Sequence, residues 1–116
     1  MATGFTDSSK NDGLTAIAAA GTWVSLHSDD PLLTGANELS TGAYARVQAA
    51  WGTASAGSIT APGVTINVPA GITIKFWGLW SAGTVGTFKS GKALPANETY
   101  GGAGTYVLTP TLTATG

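Results

Sequence analysis

The nine residues Ile72-Thr73-Ile74-Lys75-Phe76-Trp77-Gly78-Leu79-Trp80 constrain this chain more than any other stretch. They are β-branched and aromatic, which suits a pleated surface. Towards Trp80 the run is apolar on both faces, so the alternation of a half-exposed strand gives way to continuous burial. Such a strand belongs inside a sheet, and the rest of the chain must supply its neighbours and its cover.

The flanking segments are short and strand-like. Thr22 to His27 alternates apolar with polar as far as Ser25, and Tyr44 to Trp51 is its candidate partner. Ser58–Ala61 and Gly63–Val68 are separated by Pro62-Gly63, and Pro69-Ala70-Gly71 is a further turn. Ser81–Gly86 is a turn, Thr87–Leu94 a strand ending at Pro95, and 95–104 a Gly/Asn loop. Thr105–Thr109 is the last clear strand. Pro110 should confine its continuation, 111–115, to a sheet edge. About seven short strands divided by Gly and Pro turns predict an all-β fold, an antiparallel β-sandwich or jelly-roll-like domain.

One short N-terminal helix is expected over roughly residues 8–20. Asp7 or Ser8 is the candidate N-cap and Gly21 the stop. Leu14, Ile17 and Ala18 fall at core-facing spacing. Residues 1–13 read as a polar N-terminal arm and 14–116 as a single β domain.

Charge then narrows the function. Only 9% of the 116 residues are charged, against about 25% in an average protein. A surface of Thr, Ser, Gly and Asn carries little repulsion between copies. This suits a component of an assembly and a homo-oligomer. The net charge is −1 and the basic residues form no run, so no nucleic-acid partner is expected. The chain has no cysteine, which removes thiol chemistry, disulfides and zinc–thiolate sites. The N-terminus is polar, without the pattern of a signal peptide. No apolar run approaches the roughly 20 residues of a membrane helix, so no membrane contact is expected. No cofactor is expected.

The polar chemistry concentrates between Val24 and Gln48, which holds the only histidine, His27, and the only arginine, Arg46, with Asp29, Asp30 and Glu38. Neighbouring carboxylates can share a hard cation, and His beside Asp can act as a base. The spacing argues otherwise. Asp29 and Asp30 precede Pro31, which is ordinary turn chemistry. Glu38 suits an ion pair with Arg46, and two adjacent Asp followed eight residues on by Glu is not a calcium-loop ladder. His27, Asp30, Pro31, Glu38 and Arg46 are therefore read as structural wiring of a long loop, 28–43. Ser25 and His27 share a strand face, yet no nucleophile elbow surrounds the serine. No catalytic residue is assigned. The four tryptophans are expected mostly in the core, with Trp80, at its strand end, the candidate for one that lies exposed. Trp80, Asp29, Leu32 and Leu33 form the candidate contact surface. The glycine clusters at 83–86 and 101–104 match no phosphate-binding pattern.

The stretch Val24 to Gly52 also resembles a recurrent module in virion proteins of tailed bacteriophages. The resemblance rests on His27 with Asp30-Pro31, Thr34 to Glu38, Tyr44 to Arg46, Phe76 to Ala82 and Gly86 to Leu94, in that order. It covers the chain from Leu14 to about Val107. Asp29-Asp30-Pro31-Leu32-Leu33 departs from it, since Gly is common around the Asp-Pro. The resemblance implies a structural, non-enzymatic virion role. The chain shows no shaft-like repeat, which turns the expectation towards a minor capsid decoration protein held on the capsid surface by the major capsid protein. The polar arm and helix would then reach a neighbouring subunit. The alternative is a minor tail protein or tail-tip or fibre module that contacts tail proteins and binds host-surface glycan through exposed aromatics.

Overall fold

The computed structural model describes residues 5–114. Helix α1 spans Asp7–Ala20. Its cap is Thr6, one residue before the expected Asp7 or Ser8, and the Thr6 hydroxyl accepts from the Ser9 N–H at 3.2 Å. Residues 7–13 are thus the first turns of the helix rather than an arm, and residues 1–4 of the expected arm lie outside the described residues. The helix stops at Gly21, whose N–H reaches the Ile17 carbonyl. Leu14 and Ala18 are buried. Ile17, expected inside, is 42% exposed. The buried stripe is a single i, i+4 pair on this small-residue helix, and Ile17 falls beside it.

Among the described residues eight strands follow: β1 Trp23–His27, β2 Val47–Gln48, β3 Ser58–Thr60, β4 Val64–Val68, β5 Ile72–Trp80, β6 Phe88–Tyr100, β7 Gly104–Leu108 and β8 Thr111–Thr113. All pairings are antiparallel. One sheet has the order β2-β1-β5-β6, and β3–β8 and β4–β7 form two-stranded ladders. The fold is all-β with one short helix. As expected, β5 is interior, and β2 lies beside β1, though the stretch from Tyr44 to Trp51 pairs only over Val47–Gln48.

The three ladders of the second half are one object. From Ile74↔Glu98 through Ile72↔Tyr100 and Val68↔Gly104 to Val64↔Leu108, each step along one strand matches one step back along the other. One residue drops out between Val64↔Leu108 and Thr60↔Thr111, and the pairing resumes to Ser58↔Thr113. Residues 58–80 and 88–113 are therefore a single long β-hairpin. Its interruptions coincide with turn residues on both strands: Pro69-Ala70-Gly71 against Gly101-Gly102-Ala103, and Pro62-Gly63 against Thr109-Pro110. Missing donors and left-handed glycine break the ladder there without shifting it far.

The expected end of a strand at Pro95 is corrected by the same register. Between Ile74↔Glu98 and Phe76↔Ala93, β5 advances two residues while β6 advances five. Leu94 to Asn97 stand opposite Lys75 alone as a bulge, and β6 continues beyond them to Tyr100. Pro95 has no ladder bond to lose in the bulge of an edge strand.

Burial follows the two faces of the main sheet. Val24, Leu26, Trp77 and Leu79 join the principal core with Ile59, Ile66, Val68, Ile74 and Leu108. The pairs Trp23↔Trp80, Ser25↔Gly78 and His27↔Phe76 set the opposite face. That face is covered by the loop between β1 and β2, which fits because glycines leave room. A Cβ at Gly78 would stand 2.7 Å from Phe88 and 2.9 Å from the Ser25 hydroxyl. One at Gly91 would meet Pro31 at 2.5 Å, and one at Gly35, at φ +79°, would enter the Trp80 ring. Gly78→Ala should lower stability by about 1–3 kcal/mol through overpacking. Thermal denaturation followed by circular dichroism should show a Tm loss on the order of 4–12 °C, whereas Gly101→Ala, with nothing near its Cβ, should show little change.

Candidate functional site

The covered face holds nearly all the chain's polar wiring. Strand alternation puts Ser25 and His27 on one side, and their side chains meet at 2.7 Å, both with no solvent exposure. The other imidazole nitrogen, Nδ1, lies 2.7 Å from the Ala36 carbonyl. A carbonyl only accepts, so Nδ1 carries the hydrogen and Nε2 accepts from the serine. The Ser25 hydroxyl in turn accepts from the Trp80 indole N–H at 3.0 Å. The result is a directed chain: Trp80 to Ser25 to His27 to Ala36. Burial holds the imidazole below its ordinary pKa, against the opposing pull of the Ala36 bond and Glu38.

A second cluster sits beside it. Arg46 makes a two-point contact with Glu38, Nε and Nη2 each at 2.8 Å from a carboxylate oxygen. Its Nη1 donates to the carbonyls of Ala82 at 3.0 Å and Val85 at 2.7 Å. The guanidinium lies 3.7 Å over the Trp80 ring. Tyr44 donates to Glu38 at 2.6 Å and accepts from the Leu26 N–H at 3.2 Å. One arginine therefore ties together the long loop, β5 and the hairpin tip at 81–87. Burial alone would raise the Glu38 carboxyl, but Arg46 and Tyr44 outweigh it and hold it below the usual range. Burial, then Glu38, pushes the Tyr44 phenol far above its usual pKa, so it remains a donor.

The expected loop residues occupy distinct places. Glu38 and Arg46 pair, His27 anchors the loop, and Pro31 is buried against Gly91. Asp30 accepts from the Leu32 N–H and Asp29 from the Asp30 N–H, each at 2.8 Å. These carboxylates serve the turn. Among the described residues no group of three His, Asp or Glu side chains gathers as a metal site would need. Ser25 and His27 have the contact of a nucleophile and its base. Yet the base is oriented by a carbonyl rather than a carboxylate, and no substrate can reach a hydroxyl with no exposure.

The contact surface needs one correction. Trp80 is 9% exposed, not open at the strand end. The loop, Arg46 and Phe88, at 5.2 Å between ring centres, cover it. Asp29, Leu32 and Leu33 are exposed, Leu33 at 95%. Leu32 is held at φ +56°, a costly conformation for a branched residue. Val85, also exposed and at φ +57°, lies on the tip that Arg46 holds. Sequence reading passed over Val85 and also Tyr44 as a polar partner. The Tyr44-x-Arg46 spacing, which puts both side chains on one side of an extended segment, was the available signal.

Arg46 and Glu38 expose only 9% and 18% of their side chains, so the pair differs from a surface ion pair. Glu38→Gln leaves a buried cation with half its partner and should destabilise by about 1–3 kcal/mol. Arg46→Lys should do likewise, because an ammonium cannot reproduce the fork. In a chemical denaturation double-mutant cycle, the two losses should be less than additive.

No curated protein matches the chain. A family described as podophage GP4 fiber I protein gp80 matches residues 11–113. The match runs from the middle of α1 to the end of β8 and takes in both clusters, and the chain accordingly belongs to this family of phage fibre proteins.

Proposed function

We propose that this chain is a non-enzymatic structural module of the tail-fibre apparatus, joined to other tail components by protein–protein contacts. The observation that carries this reading is the fibre family's match across residues 11–113. It favours the tail alternative over the expected capsid decoration. The absence of a shaft-like repeat had pointed to the capsid; the family match outweighs that argument.

The chemistry of the site agrees with a scaffold. Each charged or polar group of the covered face is spent on another group of the same fold. Ser25 and His27 hold a loop, and Glu38, Tyr44 and Arg46 hold two loops and a strand end. Beside the exposed Asp29 and Asp30, the loops present three large apolar side chains outward: Leu32, Leu33 and Val85. Exposed apolar side chains on a rigid frame are suited to contact with another protein. The glycan reading relied on exposed aromatics, and Trp80, the candidate among them, is covered.

Two measurements test the assignment. Gold-labelled antibody should decorate the tails of intact virions rather than their shells. Quantitative mass spectrometry of purified virions should find the chain far below the major capsid protein in copy number. Abundance comparable to the capsid protein, with label over the shell, would return the protein to the decoration class. Leu33→Asp should leave Tm nearly unchanged, since surface changes usually stay within about 0.5 kcal/mol. It should nevertheless reduce incorporation into virions.

A further inference from the structure

The long hairpin has one guarded arm and one bare arm. On residues 58–80, the side turned away from the hairpin partner is occupied at intervals along its length. β1 pairs with Phe76 to Trp80. The Asn67 amide donates to the Ala43 carbonyl at 3.4 Å, and Pro69 lies against Gly42. The Thr60 carbonyl accepts from the Gly52 N–H, and the Ser55 and Ser58 backbones bond each other. On residues 88–113 the corresponding side has no strand beside it among the described residues. β6 ends its sheet, and β7 and β8 each have a single partner.

An open edge invites another strand, and proteins usually blunt it with charge, proline, a bulge or brevity. β6 carries Lys89, Lys92 and the bulge around Pro95. β8 has three residues and follows Pro110. β7, Gly104–Leu108, has none of these devices. Alternate residues of β7 turn their N–H and C=O away from β4, and Val107 is 63% exposed.

A hollow of about 390 Å³ runs along this edge. One wall is the consecutive run Tyr106 to Thr109. Successive strand residues point to opposite faces, so the hollow lies beside β7 rather than above it. The other wall is Lys92, Ala93 and Pro95 of β6, with buried Trp77 between.

We propose that β7 is a self-association edge, which pairs antiparallel with β7 of a second copy about a twofold axis at Tyr106. In that register Thr105 of each copy faces Val107 of the other, and Gly104 faces Leu108. Charge favours a second copy over a foreign strand. An edge that meets itself must carry no charge where like residues meet, and no charged residue occurs from Thr99 to Thr113. The charges flanking β7 differ in sign at its two ends. Glu98 stands towards the Gly104 end. It acts on the phenols of Tyr100 and Tyr106, which burial and then its charge raise above their usual value, and the Tyr100 hydroxyl donates to the Thr105 carbonyl. Lys92 stands towards the Thr109 end, in the wall of the hollow. Antiparallel pairing brings the Lys92 end of one copy to the Glu98 end of the other.

A strand of five residues offers an edge only about 17 Å long. Tyr106, Val107 and the hollow must supply the apolar area, and the association is modest, in the micromolar range. The inference concerns the isolated chain and stands apart from the tail assignment.

Sedimentation velocity of the purified full chain should show a monomer–dimer equilibrium that shifts with concentration. Hydrogen exchange at high concentration should protect β7 amides that exchange freely when dilute, while the Leu33 amide stays unchanged. Val107→Lys, at an exposed position, should raise the dimer Kd by about tenfold or more and leave Tm nearly unchanged. Adding Thr105→Asp places an acid opposite each new lysine and should restore dimerisation. A chain that stays monomeric at every concentration would overturn the proposal and leave the edge to a strand of another protein. A dimer indifferent to Val107→Lys, or one lost with it and not regained in the double variant, would overturn it too. Exchange on the unaltered chain needs no variant, so it decides the matter even if Val107→Lys fails to fold.

Discussion

Strand β5 must be covered on both faces, and most of the structure follows from that demand. An antiparallel sheet usually keeps one face in water. Here β1 and β6 flank β5, the principal core takes one face, and a loop without regular structure takes the other. A loop is a difficult cover because it brings backbone polar groups to an apolar surface. The chain resolves this with internal loop hydrogen bonds and a buried serine and histidine that meet the loop halfway. The arginine then closes the open corner, where Trp80 would otherwise meet solvent.

This arrangement explains how so few ionisable residues suffice. A charged surface mainly serves solubility and contributes little to fold. Arg46 is instead placed where its fork meets a carboxylate, two carbonyls and an aromatic ring, the geometry in which a guanidinium is hard to replace. Surface left unguarded by charge is consistent with a body that spends its working life packed against neighbours.

Regular elements were legible wherever periodicity and punctuation agreed. The bounds of β5, the interior place of that strand, the β1–β2 partnership and the helix stop at Gly21 all follow from local signals. So does the pairing of Glu38 with Arg46, because the two Asp of the loop serve the turn before Pro31 and leave its glutamate eight residues from the only arginine. The fold of that loop over the sheet was not legible, since it depends on side chains that are absent. Gly78 and Gly91 carry no local mark of a neighbour, yet each is a seat for something above it. Trp80 was misread for the same reason: nothing local announces that residues 31–36 return to cover it. Pro95 misled as a terminator, because a bulge excuses a proline and the matching register lies on β5.

The long hairpin has a kinetic consequence. Its two strands keep one register from Ile74↔Glu98 to Val64↔Leu108, with two register shifts nearer the tip and one dropped residue farther out, so most pairs form next to one already made. Loop closure is then met once, over a short segment, and each later step is local. Such a ribbon favours zipping from the tip outward on the timescale of hairpin formation. Strand β1, joined to β5 across a long stretch of chain, adds the slow, non-local step. A translating ribosome would have to release nearly the whole hairpin before β3 could find β8, so the outermost ladder is the last to close.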